Sequence, residues 1–112
     1  MALREQSYLI LLALTDGPLH GYAIVTAVRC ISDDRVRLAA GTLYGALDRL
    51  GHDGLVTVSG EEVINGRHRR YYQLTEAGHG VLAEETERLE RLAQTARARL
   101  RAPRPQPGMG AA

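Results

Sequence analysis

The spacing of hydrophobic residues along the chain indicates four helical stretches and one stretch of alternating residues. The first helical stretch runs from about Leu3 to Thr15, and within it residues 9–14 are apolar on every side. A helix without a polar stripe has to be covered all round. A chain of 112 residues forms one core, which covers one face of such a helix. We therefore expect a second copy of the chain to cover the other face, with contacts from Tyr8, Leu9 and Leu12.

A second and a third helix follow the break at Asp16-Gly17-Pro18, where glycine permits a positive φ and proline cannot continue a helix. The second runs from about His20 to Ile31, with its inward residues at Ile24, Val28 and Ile31. The third runs from about Gly41 to His52, and its inward residues fall within one arc: Leu43, Ala46, Leu47 and Leu50. Its other side carries Tyr44, Gly45, Asp48, Arg49 and His52, with Thr42 at the margin.

The spacing changes to two in the middle of the chain, which is typical of β-strands. Residues 56–59 and 71–74 alternate in this way, with the following residues on one side: Val56, Val58, Tyr72 and Leu74. Asn65-Gly66 lies between the two runs and favours a type I′ turn, since both central positions of that turn need a positive φ. This part of the chain is predicted to be a two-stranded hairpin. Three tyrosines are expected to pack with a solvated hydroxyl: Tyr22, Tyr71 and Tyr72.

A last and longer helix is predicted from about Glu76 to Arg101, with Thr75 as its N-cap. Acidic residues gather near its start and arginines near its end, as the helix dipole favours. One row of small and medium-sized residues has the spacing of a coiled-coil seam: Leu82, Thr86, Leu89, Ala93, Ala96 and Leu100. Such a helix is marginal by itself in water, so we expect it to have a partner. The proline-rich residues 102–112 are predicted to form a disordered tail.

This order of elements predicts a mostly α, α+β fold, namely a winged helix-turn-helix with a two-stranded wing and a long C-terminal dimerisation helix. We expect residues 1–75 to form the DNA-binding domain, residues 76–101 the dimerisation helix and residues 102–112 the tail. In such a fold the third helix enters the major groove, and the wing lies along the neighbouring backbone or minor groove. The contacts of the recognition helix are then expected from Thr42, Tyr44, Gly45, Asp48 and Arg49.

The charge of the chain supports a DNA partner only locally. The sequence has 14 basic and 13 acidic residues, so its formal net charge is only +1. The stretch from Asn65 to Leu74 nevertheless contains three arginines and one histidine without an acid. Because arginine donates forked hydrogen bonds to phosphate, this stretch is predicted to contact double-stranded DNA. The expected wing contacts are Gly66, Arg67, His68, Arg69 and Arg70.

The sequence gives little support for a metal site, a catalytic site or a membrane helix. The four histidines and Cys30 show no metal-ligand spacing, so no metal and no cofactor are predicted. A lone cysteine near a helix end is usually a small buried residue. An enzyme is not expected, since nucleophile and base pairs, phosphate loops and paired carboxylates are missing at meaningful spacings. The apolar run at residues 9–14 is far shorter than the ~20 residues of a membrane helix. Because a single cysteine excludes an internal disulfide framework and fits a reducing compartment, we expect a cytoplasmic protein.

Three segments resemble the signature of the PadR family of bacterial transcriptional regulators. They are LTDGPLHGYAI at residues 14–24, GTLYGALDRLGHDGLV at residues 41–56 and GRHRRYYQLTEAG at residues 66–78. The single helix after the wing is similar to the short PadR subfamily. The resemblance implies a homodimeric winged-helix repressor that binds an inverted repeat in a promoter and is released by a small molecule or a stress signal.

Two departures from the family pattern concern the recognition helix. Relatives often have Ser-Pro where this chain has Ala39-Ala40, so the helix lacks its best N-cap candidate, at a cost of ~1 kcal/mol. Relatives often carry a larger polar side chain at the position of Gly45, so base reading here falls more on the other outward residues or on DNA shape.

Drug-sensing relatives use aromatic residues of the last helix, whereas this chain has none after Tyr72. The effector therefore stays unknown.

Two alternative functions remain open from the sequence. The same scaffold could join other proteins through its last helix without binding specific DNA, an option that the alanines at 39 and 40 and Gly45 keep open. It could also be a multidrug-sensing regulator. A gel-shift assay with promoter DNA distinguishes the first alternative, and a ligand-induced rise in melting temperature distinguishes the second.

Overall fold

Four α-helices and a three-stranded antiparallel sheet make up residues 3–105, the part of the chain that the computed structural model describes. The helices are α1 (Glu5–Ala13), α2 (Gly21–Ile31), α3 (Ala40–His52) and α4 (Glu76–Arg101). The strands are β1 (Leu19–His20), β2 (Val56–Ile64) and β3 (Arg67–Leu74). The predicted winged-helix fold is confirmed. Among the described residues, no helix combines the length and the apolar character that crossing a bilayer requires.

Helix α1 is covered by its own chain, which corrects the argument for a second copy at this position. It packs against α2 and α4 and also touches α3, and its residues 9–11 are buried. The expectation assumed that one core covers one face, but a helix that runs through the centre of a fold is covered from several sides. Leu9 therefore belongs to the core, while Tyr8 and Leu12 are half-buried at its edge.

The inward faces of α2 and α3 are largely as predicted. All four predicted core residues of α3 are buried: Leu43, Ala46, Leu47 and Leu50. In α2, Ile24 and Val28 are completely buried, but Ile31 is exposed. The prediction for Ile31 was wrong because it is the last residue of the helix, where α2 extends past the core.

The sheet contains one strand more than the sequence predicts. Its order is β1-β3-β2, and the short β1 pairs Leu19 with Tyr72 and His20 with Tyr71. A two-residue strand is too short for a period of two to be detectable, which explains why it was missed. The predicted hairpin between β2 and β3 is confirmed, and both turn residues have a positive φ: 52° at Asn65 and 76° at Gly66.

The wing leaves the core soon after it begins. Val56 is buried, but Val58, which was predicted to lie on the same side of the strand, is exposed. The strand register shifts between Val58 and Gly60, and from there the hairpin projects from the body of the protein. On the returning strand, Tyr72 is buried and Leu74 is half-buried, and both fasten the wing to the core.

Helix α4 starts where predicted and is fixed there by the loop before β2. The Thr75 hydroxyl accepts a hydrogen bond from the Gly78 N–H at 3.0 Å and donates one to the Gly54 carbonyl at 2.6 Å. The backbone N–H of Thr75 donates to the Leu55 carbonyl at 3.1 Å. Thr75 thus caps the helix and holds it to the body of the protein.

Only the first part of α4 packs on the rest of the chain. Leu82 is buried, whereas Leu89, Leu92 and Leu100 are 37%, 57% and 83% exposed. The division of the chain into a DNA-binding domain and a dimerisation helix stays a prediction. Of the predicted tail, residues 106–112 lie outside the described part, and residues 102–105 follow α4 without regular structure.

Candidate nucleic-acid interface

The outward face of α3 presents the residues predicted for the recognition helix. Four of these residues are exposed, namely Thr42, Tyr44, Asp48 and Arg49, and Gly45 is half-buried. They lie on a different side of the helix from its buried leucines. Helix α3 begins at Ala40, and its N-cap residue, Ala39, makes no side-chain hydrogen bond. The first turn therefore leaves backbone N–H groups without a side-chain partner, as the sequence predicts.

Tyr44 lies across the start of α2, a contact that sequence reasoning missed. A Cβ atom built on Gly21 would lie 2.5 Å from the Tyr44 hydroxyl oxygen and 3.1 Å from Cζ. Only glycine leaves room for the tyrosine ring at this point. Gly21 thus leaves space for the Tyr44 ring and so affects the position of one outward residue of the recognition helix.

Tyr22 is 79% exposed, so the prediction that its ring packs and leaves only the hydroxyl solvated was wrong. On a helix, residues two apart point in directions about 200° apart. Because Ile24 points into the core, the position of Tyr22 was readable from the sequence as the outward side of α2. The exposed ring lies in the first turn of α2, next to the contact between Gly21 and Tyr44.

The three wing arginines lie on both faces of the hairpin. Side chains alternate along a strand, so Arg67 and Arg69 share one face while His68 and Arg70 share the other. The face with Arg70 is turned toward α3, since Tyr44 and Arg70 line the same cleft. The arginines therefore do not form one cluster, although they follow one another closely in sequence.

Two glutamates of β2 stand opposite two of these arginines. The strand register pairs Glu61 with Arg70 and Glu62 with Arg69. The hairpin thus contains three arginines and two glutamates, and its formal charge is 3 − 2 = +1. This pairing follows from the Asn65-Gly66 turn, which fixes the register of the two strands, so the sequence contained the signal.

The two glutamates have different partners. Arg70 Nε donates a hydrogen bond to Glu61 Oε1 at 3.1 Å, and these side chains are 57% and 47% exposed. On the other face, the Tyr71 hydroxyl donates to Glu62 at 2.5 Å.

Two clefts separate the recognition helix from the wing, and Arg70 lines both. The smaller one has a volume of about 410 Å³ and is lined by Tyr44, Glu61, His68, Arg70 and Tyr72. The larger one, about 750 Å³, lies beside the second half of α3 and includes Asp48, Arg49, His52 and Arg70. These open grooves are lined by arginine, histidine and tyrosine side chains, which donate hydrogen bonds to phosphate oxygens. They are also lined by the carboxylates of Asp48, Asp53 and Glu61, which repel phosphate.

His20 connects the helix-turn-helix to the wing. Its Nδ1 accepts a hydrogen bond from the Ala23 N–H at 3.3 Å and so caps α2. Its ring meets the Tyr71 ring edge to face, with centroids 5.6 Å apart. Burial lowers the pKa of His20 below its ordinary 6.5, and nearby Arg69 lowers it further, while Glu62 acts in the opposite direction.

The residues predicted for dimerisation are divided between the core and the surface. Tyr8 and Thr86 form a 2.7 Å hydrogen bond within one chain, and Leu82 is buried there. The later members of the row are accessible along α4. Beside the row, the Glu85 carboxylate is bound by Arg88, which lowers its pKa to about 2 together with the backbone N–H of Leu3.

The residues considered for metal or redox chemistry lie apart. Across residues 3–105, no three histidine, cysteine, aspartate or glutamate side chains form a group that could hold a metal ion. Cys30 is exposed, contrary to the expectation of a small buried residue, because it lies on the outer side of the last turn of α2.

Comparison with known proteins gives a family match. The model of the transcriptional regulator PadR-like family matches residues 10–84, which is more than half of the chain. The transcriptional regulator Rv3488 of Mycobacterium tuberculosis is 40% identical over 79 residues, covering 70% of each protein. An uncharacterized 37.1 kDa protein in transposon TN4556 of Streptomyces fradiae is 44% identical over 92 residues. That match covers 82% of this chain but only 25% of the transposon protein.

Solved structures of similar shape include other regulators. A PadR family transcription regulator from Clostridium difficile superposes with a TM-score of 0.73 at 23% identity, covering 87% of this chain and 99% of that one. PadR of Bacillus subtilis in complex with operator DNA gives a TM-score of 0.64 at 24% identity, covering 72% of this chain and 46% of that one. At these identities the two structures support the fold alone.

Proposed function

The chain belongs to the PadR-like family of transcriptional regulators, and we propose that it is a repressor that binds an inverted repeat in a promoter as a homodimer. The observation that carries the proposal is the surface shared by α3 and the wing. The outward face of α3 and the Arg70 face of the hairpin border the same two clefts. This arrangement suits a helix in the major groove with a wing along the neighbouring backbone.

A structural neighbour bound to DNA is compatible with this proposal. PadR of Bacillus subtilis was solved in complex with operator DNA, and this chain shares its fold. The contacts that we propose for this chain come from two groups of residues. Tyr44, Asp48 and Arg49 read base edges, with Thr42 and Gly45 allowing close approach, while Gly66, Arg67, His68, Arg69 and Arg70 contact the backbone.

The exposed leucines of α4 support the homodimer. Leu89, Leu92 and Leu100 lie beyond the part of α4 that packs on its own chain. Apolar side chains along one helix are stabilised when they pack on a second helix. We propose that two copies pair along this part of α4, with Thr86, Ala93 and Ala96 in the same row. Their two recognition helices would then lie about one DNA turn apart, ~34 Å.

Release from DNA by a small molecule or a stress signal completes the proposed function. The chain has no aromatic residue after Tyr72, so the effector would not stack on aromatic side chains of α4. A promoter-binding protein acts where the chromosome is, and we propose the cytoplasm as its location.

A salt titration of DNA binding tests the proposal. Fluorescence anisotropy would measure binding of the wild type to a duplex from upstream of its own gene and to a scrambled duplex. The double variant R67A/R69A should flatten the plot of log affinity against log salt by ~0.9 for each lost phosphate contact. The control R91A/R97A removes the same charge from exposed positions of α4, outside the wing, and should keep the slope.

Two outcomes would count against the proposal. An unchanged slope in R67A/R69A, with an intact dimer by light scattering, would contradict the wing contacts. The absence of a salt-sensitive complex with either duplex would favour a protein-interaction module instead. That alternative has one supporting observation, namely the two glutamates that reduce the charge of the wing.

A further inference from the structure

The Arg70 side chain extends from the wing into the clefts beside the recognition helix, and its guanidinium donates a hydrogen bond to Glu61. The side chain lines both clefts between these elements, together with Tyr44 in one and Arg49 in the other. A phosphate that enters either cleft would meet Arg70. In the smaller cleft it would also meet the Glu61 carboxylate, and in the larger cleft the carboxylates of Asp48 and Asp53.

The hydrogen bond between Arg70 and Glu61 is longer and more exposed than the hydrogen bonds between Arg88 and Glu85, which lie near the core. Arg88 donates two hydrogen bonds of 2.8 Å to Glu85, whose side chain is only 3% exposed. Arg70 donates from Nε alone, at 3.1 Å, to a carboxylate that is 47% exposed. Exposed ion pairs contribute little to stability. Arg70 can therefore leave Glu61 without disturbing the fold.

We propose that Glu61 holds Arg70 in the free protein and limits the affinity of the wing for DNA, and that Arg70 exchanges this carboxylate for a backbone phosphate on binding. The inference rests on the proposed DNA-binding function. It assigns a role to Glu61, which the sequence did not single out.

The exchange lowers affinity for two physical reasons. Binding has to break the bond between Arg70 and Glu61, and it leaves the Glu61 carboxylate close to a phosphate of the same charge. Both effects grow as the cleft loses water, because charges interact more strongly at a lower local dielectric. Neither depends on the base sequence, since phosphates are the same at every position. Glu61 is thus expected to weaken binding to all duplex DNA.

Glu62 provides a matched control for the charge of the wing. It is the neighbouring residue and carries the same charge, but it lies on the opposite face, where it accepts a hydrogen bond from Tyr71 and pairs with Arg69 in the register. Replacing either glutamate by glutamine changes the net charge equally. Only the replacement of Glu61 changes the cleft that faces α3.

The first experiment compares E61Q and E62Q with the wild type on the promoter duplex and on the scrambled duplex, over a range of salt concentrations. E61Q should bind both duplexes about threefold to tenfold more tightly at low salt, with a slope steeper by up to ~0.9. E62Q removes the same charge next to Arg69, but the hydrogen bond that Glu62 accepts comes from Tyr71 and not from an arginine, so E62Q should change both quantities less. Equal effects of the two variants would overturn the proposal, and so would tightening on the promoter duplex alone, which would indicate base reading.

The second experiment repeats the substitution of Glu61 in the variant R70Q. If Arg70 exchanges partners, E61Q tightens binding more when Arg70 is present, because only then does binding have to break the pair. If Arg70 instead stays with Glu61 in the complex, E61Q should tighten binding more in the R70Q variant than in the wild type. The reason is that Arg70 no longer neutralises Glu61 in R70Q, so the carboxylate repels the phosphates fully. That outcome would overturn the exchange.

Failure of the proposed function itself gives a different result. In that case the wild type already forms no salt-sensitive complex with either duplex, and the role of Glu61 falls with it. A wild type that binds DNA, together with an E61Q that binds like it, would overturn the role of Glu61 alone. Circular dichroism of each variant confirms that the exposed substitutions leave the fold intact.

Discussion

The backbone of Gly78 contacts the carbonyl group of Leu55 so closely that a Cβ atom at residue 78 would lie 2.0 Å from the Leu55 oxygen. This contact fixes the start of α4 against the loop before β2. The obstacle is backbone, which cannot rotate away as a side chain does. G78A should therefore lower the free energy of unfolding by about 3 kcal/mol, as overpacking does. Urea denaturation measures this change.

Gly80 is the matched control for this prediction. It lies two residues further along α4 and is exposed, and a Cβ atom there would meet nothing within 4 Å. G80A should stabilise the protein by about 0.5–1 kcal/mol, because alanine is the better helix residue. Equal changes in the two variants would show that the contact with Leu55 is not decisive.

The packing of Tyr44 on Gly21 gives a prediction about DNA binding. The atom closest to a Cβ at residue 21 is the tip of a side chain, which can swing away. G21A should therefore change the melting temperature little but displace Tyr44 and weaken binding to promoter DNA several-fold. In the Y44A background, G21A should have no further effect on affinity. A further loss there would mean that Gly21 acts through the helix packing rather than through Tyr44.

Glu85 makes the free energy of unfolding depend on pH in the acidic range. Arg88, and to a smaller degree the backbone N–H of Leu3, lower its pKa from the ordinary 4.5 to about 2. A carboxyl group whose pKa is lowered by folding stabilises the folded state above its ordinary pKa. This contribution is lost as the pH falls from 4.5 toward 2. E85Q should be less stable than the wild type at neutral pH, and the difference should shrink across this window.

The neighbouring E84Q is the control for that pH profile. Glu84 is exposed and carries the same charge, so E84Q shows what the loss of one carboxylate near Glu85 does by itself, and E85Q should differ from the wild type more than E84Q does. A profile of E85Q that runs parallel to the wild type down to low pH would contradict the role of the carboxylate.

Local signals in the sequence were sufficient for most elements of the fold. The inward row of α3, the turn at Asn65-Gly66 and the cap at Thr75 each depend on residues within a few positions of one another. Such signals act through backbone preference and side-chain spacing, which the chain carries locally. The bounds of α4 were predicted for the same reason.

Features that depend on distant parts of the chain were missed. The two-residue strand β1 forms only because β3 is beside it, and α1 is covered by elements that follow much later. The pairing of Glu61 with Arg70 required the register of the hairpin and not the composition of one strand. Residues 65–74 alone therefore predict a higher net charge than the whole hairpin has, because the two glutamates lie on the other strand.

His20 should make stability depend on pH near neutrality. Its pKa is lowered, first by burial and then by Arg69, so folding favours the neutral ring that caps α2. A group whose pKa is lowered by folding stabilises the protein above its ordinary 6.5, and this stabilisation is lost as the pH falls below that value. H20N keeps a cap without a titrating ring. Its free energy of unfolding should vary less than that of the wild type when the pH is lowered through 6.5. An equal variation would assign the effect to other groups.

The uncapped start of the recognition helix gives the last prediction. Ala39 is in the extended conformation of an N-cap residue, but its side chain cannot accept a hydrogen bond. A39S places a hydroxyl where it can accept from the N–H of Thr42, and should stabilise the protein by ~1 kcal/mol in urea denaturation. A40S puts the same side chain one position later, inside the first turn, where it cannot cap the helix in this way. A gain in stability for A40S as large as that for A39S would mean that the missing cap is not what limits this helix. If the cap also orders the residues that read DNA, A39S should bind promoter DNA more tightly, while its salt slope stays that of the wild type because no phosphate contact is added.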